Sequence, residues 1–231
     1  FLKAYFPENN RYVSFVSENK NVEMKLKADA DRLLGVEYID EANKKWESFA
    51  KIQDKREHIL PVLSQIKNFY NDQSAFDLAL KNEIQRLENK DIEPNSFLSF
   101  YAENSTYASE NAANKMSTQA YADFLINESQ LLESSSLMRP VLINYLKSLS
   151  RENLTTEVDR LLDNLNLETP RGQTVLAELL GIFDAYGLDA EKQRYYQKAT
   201  ALTCSINQNL EKSIKSIKNT EIGAVFEDYT F

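Results

Sequence analysis

Between residues 40 and 218 the apolar side chains recur at steps of three, four and seven, the period of helices with one buried face. Ala42, Trp46, Phe49, Ile52, Ile59, Leu63, Ile66 and Tyr70 form the first stripe, with Glu41/Lys45 and Glu47/Lys51 at i,i+4 on the opposite face. Pro61 lies within it; lacking a backbone donor, it predicts a kink near Glu57 or His58 rather than a stop. A second helix starts at Ser74-Ala-Phe-Asp77, with Phe76, Leu80, Ile84 and Leu87 inward, antiparallel to the first across a short turn. Pro94 opens a brief helix with Phe97, Leu98, Phe100 and Tyr101.

Residues 104–117 are polar and aperiodic and predict a loop, followed by a short helix over 119–125. Beyond Ser134-Ser-Ser136, Pro140 sits in the first turn of a helix carrying Val141, Leu142, Tyr145, Leu146 and Leu149. Leu154, Val158, Leu161, Leu162 and Leu165 define the next. Thr169-Pro170 and Gly187 bracket a helix over 170–186, in which Gly181 suggests a close helix–helix approach. Asp189 caps another helix with Tyr195, Ala199, Leu202 and Ile206 inward, and Leu210, Ile214 and Ile217 form the last stripe. No repeat of 34 or 40 residues is visible, which argues against tetratricopeptide or HEAT arrays.

At both ends the period changes. Phe1-Leu-Lys-Ala-Tyr-Phe6, Arg11-Tyr-Val-Ser-Phe-Val16 and Asn21-Val-Glu-Met-Lys-Leu26 are short, aromatic or β-branched, and predict two or three strands of an antiparallel meander. Ile222-Gly-Ala-Val-Phe-Glu-Asp-Tyr-Thr-Phe231 alternates and predicts a strand handing over to a further domain. The expected fold is mainly α, an irregular helical array with a small N-terminal antiparallel β element. The division expected is a β element over 1–35, a helical domain over 36–219, and over 220–231 a linker or the start of another domain. Phe1 is not a Met and stands inside a strand-like stretch, so the expectation is a processed or trimmed piece.

Composition narrows the function classes. The 231 residues are 42% hydrophobic and 27% charged, ordinary for a folded chain. The net charge of −8, with dispersed Lys and Arg, argues against a nucleic-acid partner, which needs a clustered basic face. No apolar run approaches the ~20 residues of a transmembrane helix. One Cys and one His are too few for an internal disulfide or a zinc site.

Each reactive residue also has a structural reading. Cys204 is expected toward the C-terminal part of a helix, where the dipole disfavours a thiolate, as a buried apolar residue; a partner Cys outside the chain is the alternative. His58 and Glu57 are neighbours at i,i+1 and do not face each other on a helix, so His58 reads as a surface or kink residue. Ser134-Ser-Ser136 has no second His to activate a nucleophile and reads as a loop and cap. The groups Glu37/Asp40/Glu41 and Glu88/Asp91/Glu93 could hold Ca²⁺ weakly but lack the alternating ligands and turn glycine of a Ca²⁺ loop. Asn104-Ser-Thr, Asn127-Glu-Ser and Asn153-Leu-Thr match the glycosylation sequon at near-chance frequency. The 12 Phe, 12 Tyr and single Trp could line a peptide groove, but helical spacing makes most of them core. No catalytic, cofactor-binding or metal residue is assigned.

Several stretches carry a family resemblance. Phe6-Pro-Glu-Asn-Asn-Arg-Tyr-Val-Ser-Phe15, Asn95-Ser-Phe97, Leu137-Met-Arg-Pro-Val-Leu-Ile-Asn-Tyr-Leu146, Ile182-Phe-Asp-Ala-Tyr-Gly187 and the closing 222–231 segment occur in an order that resembles the non-thioredoxin half of TlpA-type thiol–disulfide oxidoreductases of the Bacteroidetes envelope. The resemblance spans the chain through soft motifs. It implies a non-catalytic helical accessory region that positions or dimerises a thioredoxin-like domain and docks substrate proteins. It also implies a periplasmic or cell-envelope location, often with a lipid anchor. The family's Cys-x-x-Cys would lie beyond Phe231, so no redox residue is carried over, and Cys204 is not that pair. The rival expectation is a standalone helical module of the envelope that binds a peptide or glycan.

Overall fold

The structure is a computed structural model, and it describes residues 2–6, 11–17, 21–29, 32–70, 73–89, 92, 96–109 and 116–220. The stretch over 222–231, expected to be a strand, lies outside the described residues, as does Pro94. The fold is mainly α, with eleven helices and two small antiparallel sheets among the described residues. The chain divides into two compact units, Phe1–Ser99 and Phe100–Phe231.

In the first unit, β1 (Leu2–Phe6) pairs with β2 (Arg11–Phe15), and β3 (Met24–Asp29) pairs with β4 (Arg32–Tyr38). The pairing is two separate hairpins instead of the expected meander, and β4 is an additional strand. A register shift between Lys27 and Ala28 bends the second hairpin. Val13 of β2 and Tyr38 of β4 are buried in one small cluster with Phe15, Met24 and Val36, and the Tyr38 hydroxyl donates to the Ser14 carbonyl at 2.6 Å. The hairpins are therefore joined by side chains where backbone pairing stops. Burial, with the nearby Glu47 and Asp40 charges, pushes the Tyr38 phenol above its ordinary pKa.

Helix α1 (Glu41–His58) is capped by Asp40, whose carboxylate accepts from Asn43 N at 2.9 Å. Asn43 is fully buried, and its side-chain amide behaves as an extra rung of sheet. Its Oδ1 accepts from Val16 N at 2.7 Å and its Nδ2 donates to Val16 O at 2.8 Å. Pro61 acts close to where the sequence predicts. It cannot donate to the carbonyl four residues back, so the helix breaks at Ile59 and resumes as α2 (Leu60–Lys67).

The first apolar stripe is buried only in its first half. Trp46 and Phe49 are core, with ring centroids 5.7 Å apart, whereas α2 buries no residue and Ile59 and Tyr70 are 46% and 43% exposed. Helix α3 (Ala75–Glu88) starts at the predicted Ser74 cap and buries Leu80, Ile84 and Leu87. Phe76 instead remains 52% exposed and meets Tyr70 edge-on.

The unit boundary falls inside α4 (Phe97–Ala108). This helix overruns the loop expected from residue 104. Asn104 Nδ2 donates to Phe100 O and Ser105 Oγ to Ala102 O, so these poor helix formers are satisfied on the helix's own carbonyls. The second unit continues with α5 (Thr118–Asn127), α6 (Leu131–Ser134), α7 (Met138–Ser148), α8 (Leu154–Leu165), α9 (Pro170–Ala185), α10 (Asp189–Thr200) and α11 (Gln208–Thr220).

Helix α9 is central: it packs against α7, α8, α10 and α11 and is buried nearly all round. Thr169 caps it as predicted, and Gly187 takes φ +66° past its end. Gly181 does mark a close approach, but to a side chain: Arg139 Nη1 lies 3.1 Å from where a Cβ would stand, and Nη2 donates to Gly181 O. Leu188, not Asp189, occupies the cap position of α10, without a side-chain hydrogen bond.

Candidate functional site

The most heavily bonded polar side chains close helix ends, where the last carbonyls have no partner within the helix. In the first unit Arg56 donates from Nε to Leu87 O at 2.5 Å and from Nη2 to Asn89 O at 2.6 Å, finishing α3. In the second, Asn144 of α7 donates to Tyr107 O and Ser109 O, both at 2.9 Å, finishing α4. Arg171 of α9 donates to the carbonyl of Leu125 in the last turn of α5 and to those of Glu128 and Ser129 just after it, and grips both carboxylate oxygens of Glu133. Burial lowers the Arg56 pKa, but a guanidinium stays charged in this environment.

Cys204 departs from expectation. It stands in the connection between α10 and α11, half-buried, because α10 ends at Thr200. Gln173, buried in α9, organises that connection. Its Nε2 donates to Ser205 O at 3.0 Å and contacts Cys204 Sγ at 3.5 Å, and its Oε1 accepts from Asn207 N at 2.7 Å. The thiol is thus one contact of a loop-fixing amide.

His58 is the exposed last residue of α1, 3.6 Å from Asp54 Oδ1. Ser134 ends α6 and Ser135 follows it, their hydroxyls turned back on the carbonyls of Leu131 and Leu132; the expected helix-cap role is not theirs, because Leu137 takes the cap position of α7 without a side-chain hydrogen bond. Glu37 pairs with Lys27, Asp40 caps α1 and Glu41 pairs with Lys44; Asp91 and Glu93 lie outside the described residues. Among the described residues no three His, Cys, Asp or Glu side chains gather in a way that could hold a metal. Burial pushes the Tyr145 phenol up to about 12 and raises that of Tyr195; their hydroxyls donate to Glu157 O and Thr155 O. Neither phenol is placed for proton transfer near neutrality.

Among the described residues a concavity large enough to hold a ligand lies in the first unit. An open cleft of about 750 Å³ lies within the first unit along α1. Phe49, Ile52, Phe97 and Leu98 supply apolar surface, and Ser48 is exposed between them. Lys44 and Lys45 stand toward one end of α1, and Arg56 and Arg86 line the cleft farther along. Glu41 is the one acidic side chain of its lining among the described residues.

The apolar period assigns Phe49 and Ile52 to core and Lys45 to a solvated face. The available signal was the ladder Lys44, Ser48, Ile52, Arg56 at steps of four, in which a small polar residue interrupts an otherwise apolar-and-cationic strip. Arg86 and Phe97 join it only through folding. Chemically the lining offers apolar surface, hydroxyls and fixed positive charge, a combination for binding.

No protein-family model matches the chain, and neither a curated protein nor a solved structure is significantly similar to it. No helix among the described residues is long and apolar enough to cross a membrane.

Proposed function

We propose that the chain is a non-catalytic helical accessory region of a thioredoxin-like thiol–disulfide oxidoreductase of the cell envelope, positioning or dimerising the redox domain and docking substrate proteins. One observation carries the non-catalytic part: Arg56, Asn144, Arg171 and Gln173 spend their polar atoms on backbone of their own unit. A scaffold needs such clamps, whereas a catalytic site needs polar atoms aimed at a substrate. The TlpA-type motifs supply the redox partner, and with it a periplasmic or lipid-anchored envelope location. Insulin-disulfide reduction tests this reading: the chain alone is expected to show no turnover above the uncatalysed thiol background. Turnover by this chain contradicts it.

The cleft along α1 favours a second reading, a standalone module of the envelope that binds a peptide or glycan. The two readings differ in whether the coding sequence continues into a redox domain.

A further inference from the structure

We propose that the cleft along α1 is a docking groove for an extended peptide of about five residues, apolar in the middle and acidic at both ends. The inference deepens the substrate-docking role proposed above and rests on that role, not on the presence of a redox domain.

Length and cross-section select an extended occupant. From Lys44 to Arg56 the groove follows α1 for about 18 Å at a rise of about 1.5 Å per residue. At about 3.4 Å per residue that length seats about five extended residues. Such a strand, about 4.8 Å by 10 Å in section, fills about 800 Å³, against the cleft's about 750 Å³. A helix about 10 Å across occupies about 1,400 Å³ over the same length and would stand about half outside this open cleft.

Charge selects the ends. The chain carries a net charge of −8, yet among the described residues Lys44, Lys45, Arg56 and Arg86 line this cleft against Glu41. Arg56 is committed to carbonyls and acts as a fixed charge. Lys44 holds an exposed ion pair to Glu41, of the weak kind that an incoming carboxylate can replace, whereas Arg86 is held by Glu83 through two hydrogen bonds of 2.7 Å and, like Arg56, acts as a fixed charge. A fatty acid carries an anion at one end only, whereas cations flank both ends of the apolar stretch around Phe49 and Ile52. A glycan is matched less well, because four cations stand among the described lining residues against one carboxylate, Glu41, and one side-chain amide, Asn89, the groups that bind sugar hydroxyls.

Fluorescence anisotropy with labelled, end-blocked Glu-Leu-Phe-Leu-Glu and Lys-Leu-Phe-Leu-Lys tests the groove. The acidic peptide is expected to bind the chain at least about tenfold more tightly, and less tightly as salt rises. Ser48→Trp fills the groove from an exposed position, and Lys44→Glu with Lys45→Glu reverses one end. Each, with helicity unchanged by circular dichroism, is expected to weaken the acidic peptide at least about tenfold. Equal binding of both peptides, no binding, unchanged binding by the folded variants, or binding of chitotriose in place of both peptides overturns the proposal. Any of these outcomes removes the groove alone; the accessory reading fails separately, on insulin turnover.

Discussion

Arg171, in the first turn of α9, and Glu133, in the four-residue helix α6, meet as a two-pronged ion pair. The same guanidinium holds the carbonyls of Leu125, Glu128 and Ser129. Arg171 is 12% exposed, so its charge is offset mainly by these partners. Removing it leaves a carboxylate and the end of α5 unpaired in a partly buried setting. Arg171→Ala is expected to cost about 3 kcal/mol, and Arg171→Lys about half of that, because an ammonium cannot reproduce the planar fork. Urea unfolding checks both through a lowered midpoint at unchanged slope.

Asn43 makes the corresponding join in the first unit. Asn43→Leu keeps the volume but leaves Val16 N and O without their side-chain partners. A loss of about 2 kcal/mol is expected. Hydrogen exchange locates it: the Val16 amide should lose protection more than amides in the middle of α1.

These joins mark the boundary of what the sequence makes legible. Helices α8 and α9 follow from apolar periodicity plus Thr169-Pro170 and Gly187, since caps and period are local physics. The break at Ile59 follows from Pro61 in the same way. Strand β4 and helix α6 do not follow: one is stabilised by pairing with β3, the other by the Arg171–Glu133 contact across 38 positions. The overrun of α4 depends on Asn104 and Ser105 bonding backward, a rotamer choice that composition does not reveal. The cleft is least legible, because Lys44 and Arg86 line one cavity only once α1 and α3 have paired.

Gly172 inverts the usual helix rule. Gly→Ala inside a helix ordinarily gains up to about 1 kcal/mol. Here a Cβ would stand 2.4 Å from Asn166 O and 2.9 Å from Asn166 C, backbone atoms of a turn fixed by the Thr169 hydroxyl. Gly172→Ala is therefore expected to destabilise by about 3 kcal/mol. A rise in melting temperature would contradict the close approach.

Asp159 ties α8 to α10 through Arg194 and Lys198. Burial alone pushes its carboxyl up, but hydrogen bonds and charge from Arg194 and Lys198 outweigh it and hold it below the ordinary carboxylate range. A carboxyl depressed in the folded state stabilises above its unfolded pKa, and loses that contribution as pH falls through its folded one. Asp159→Asn is expected to melt a few degrees lower at pH 7. The gap should close as wild type is acidified through the lowered titration range of that carboxyl. A gap that persists in acid would assign the loss to packing.

The central claim is that these clamped helices serve chemistry carried by another domain. Reading the coding sequence immediately after the Phe231 codon tests it most directly. The accessory role predicts an open frame running into a thioredoxin-like domain with a Cys-x-x-Cys pair. A stop codon at that point, or a following domain without the pair, contradicts it.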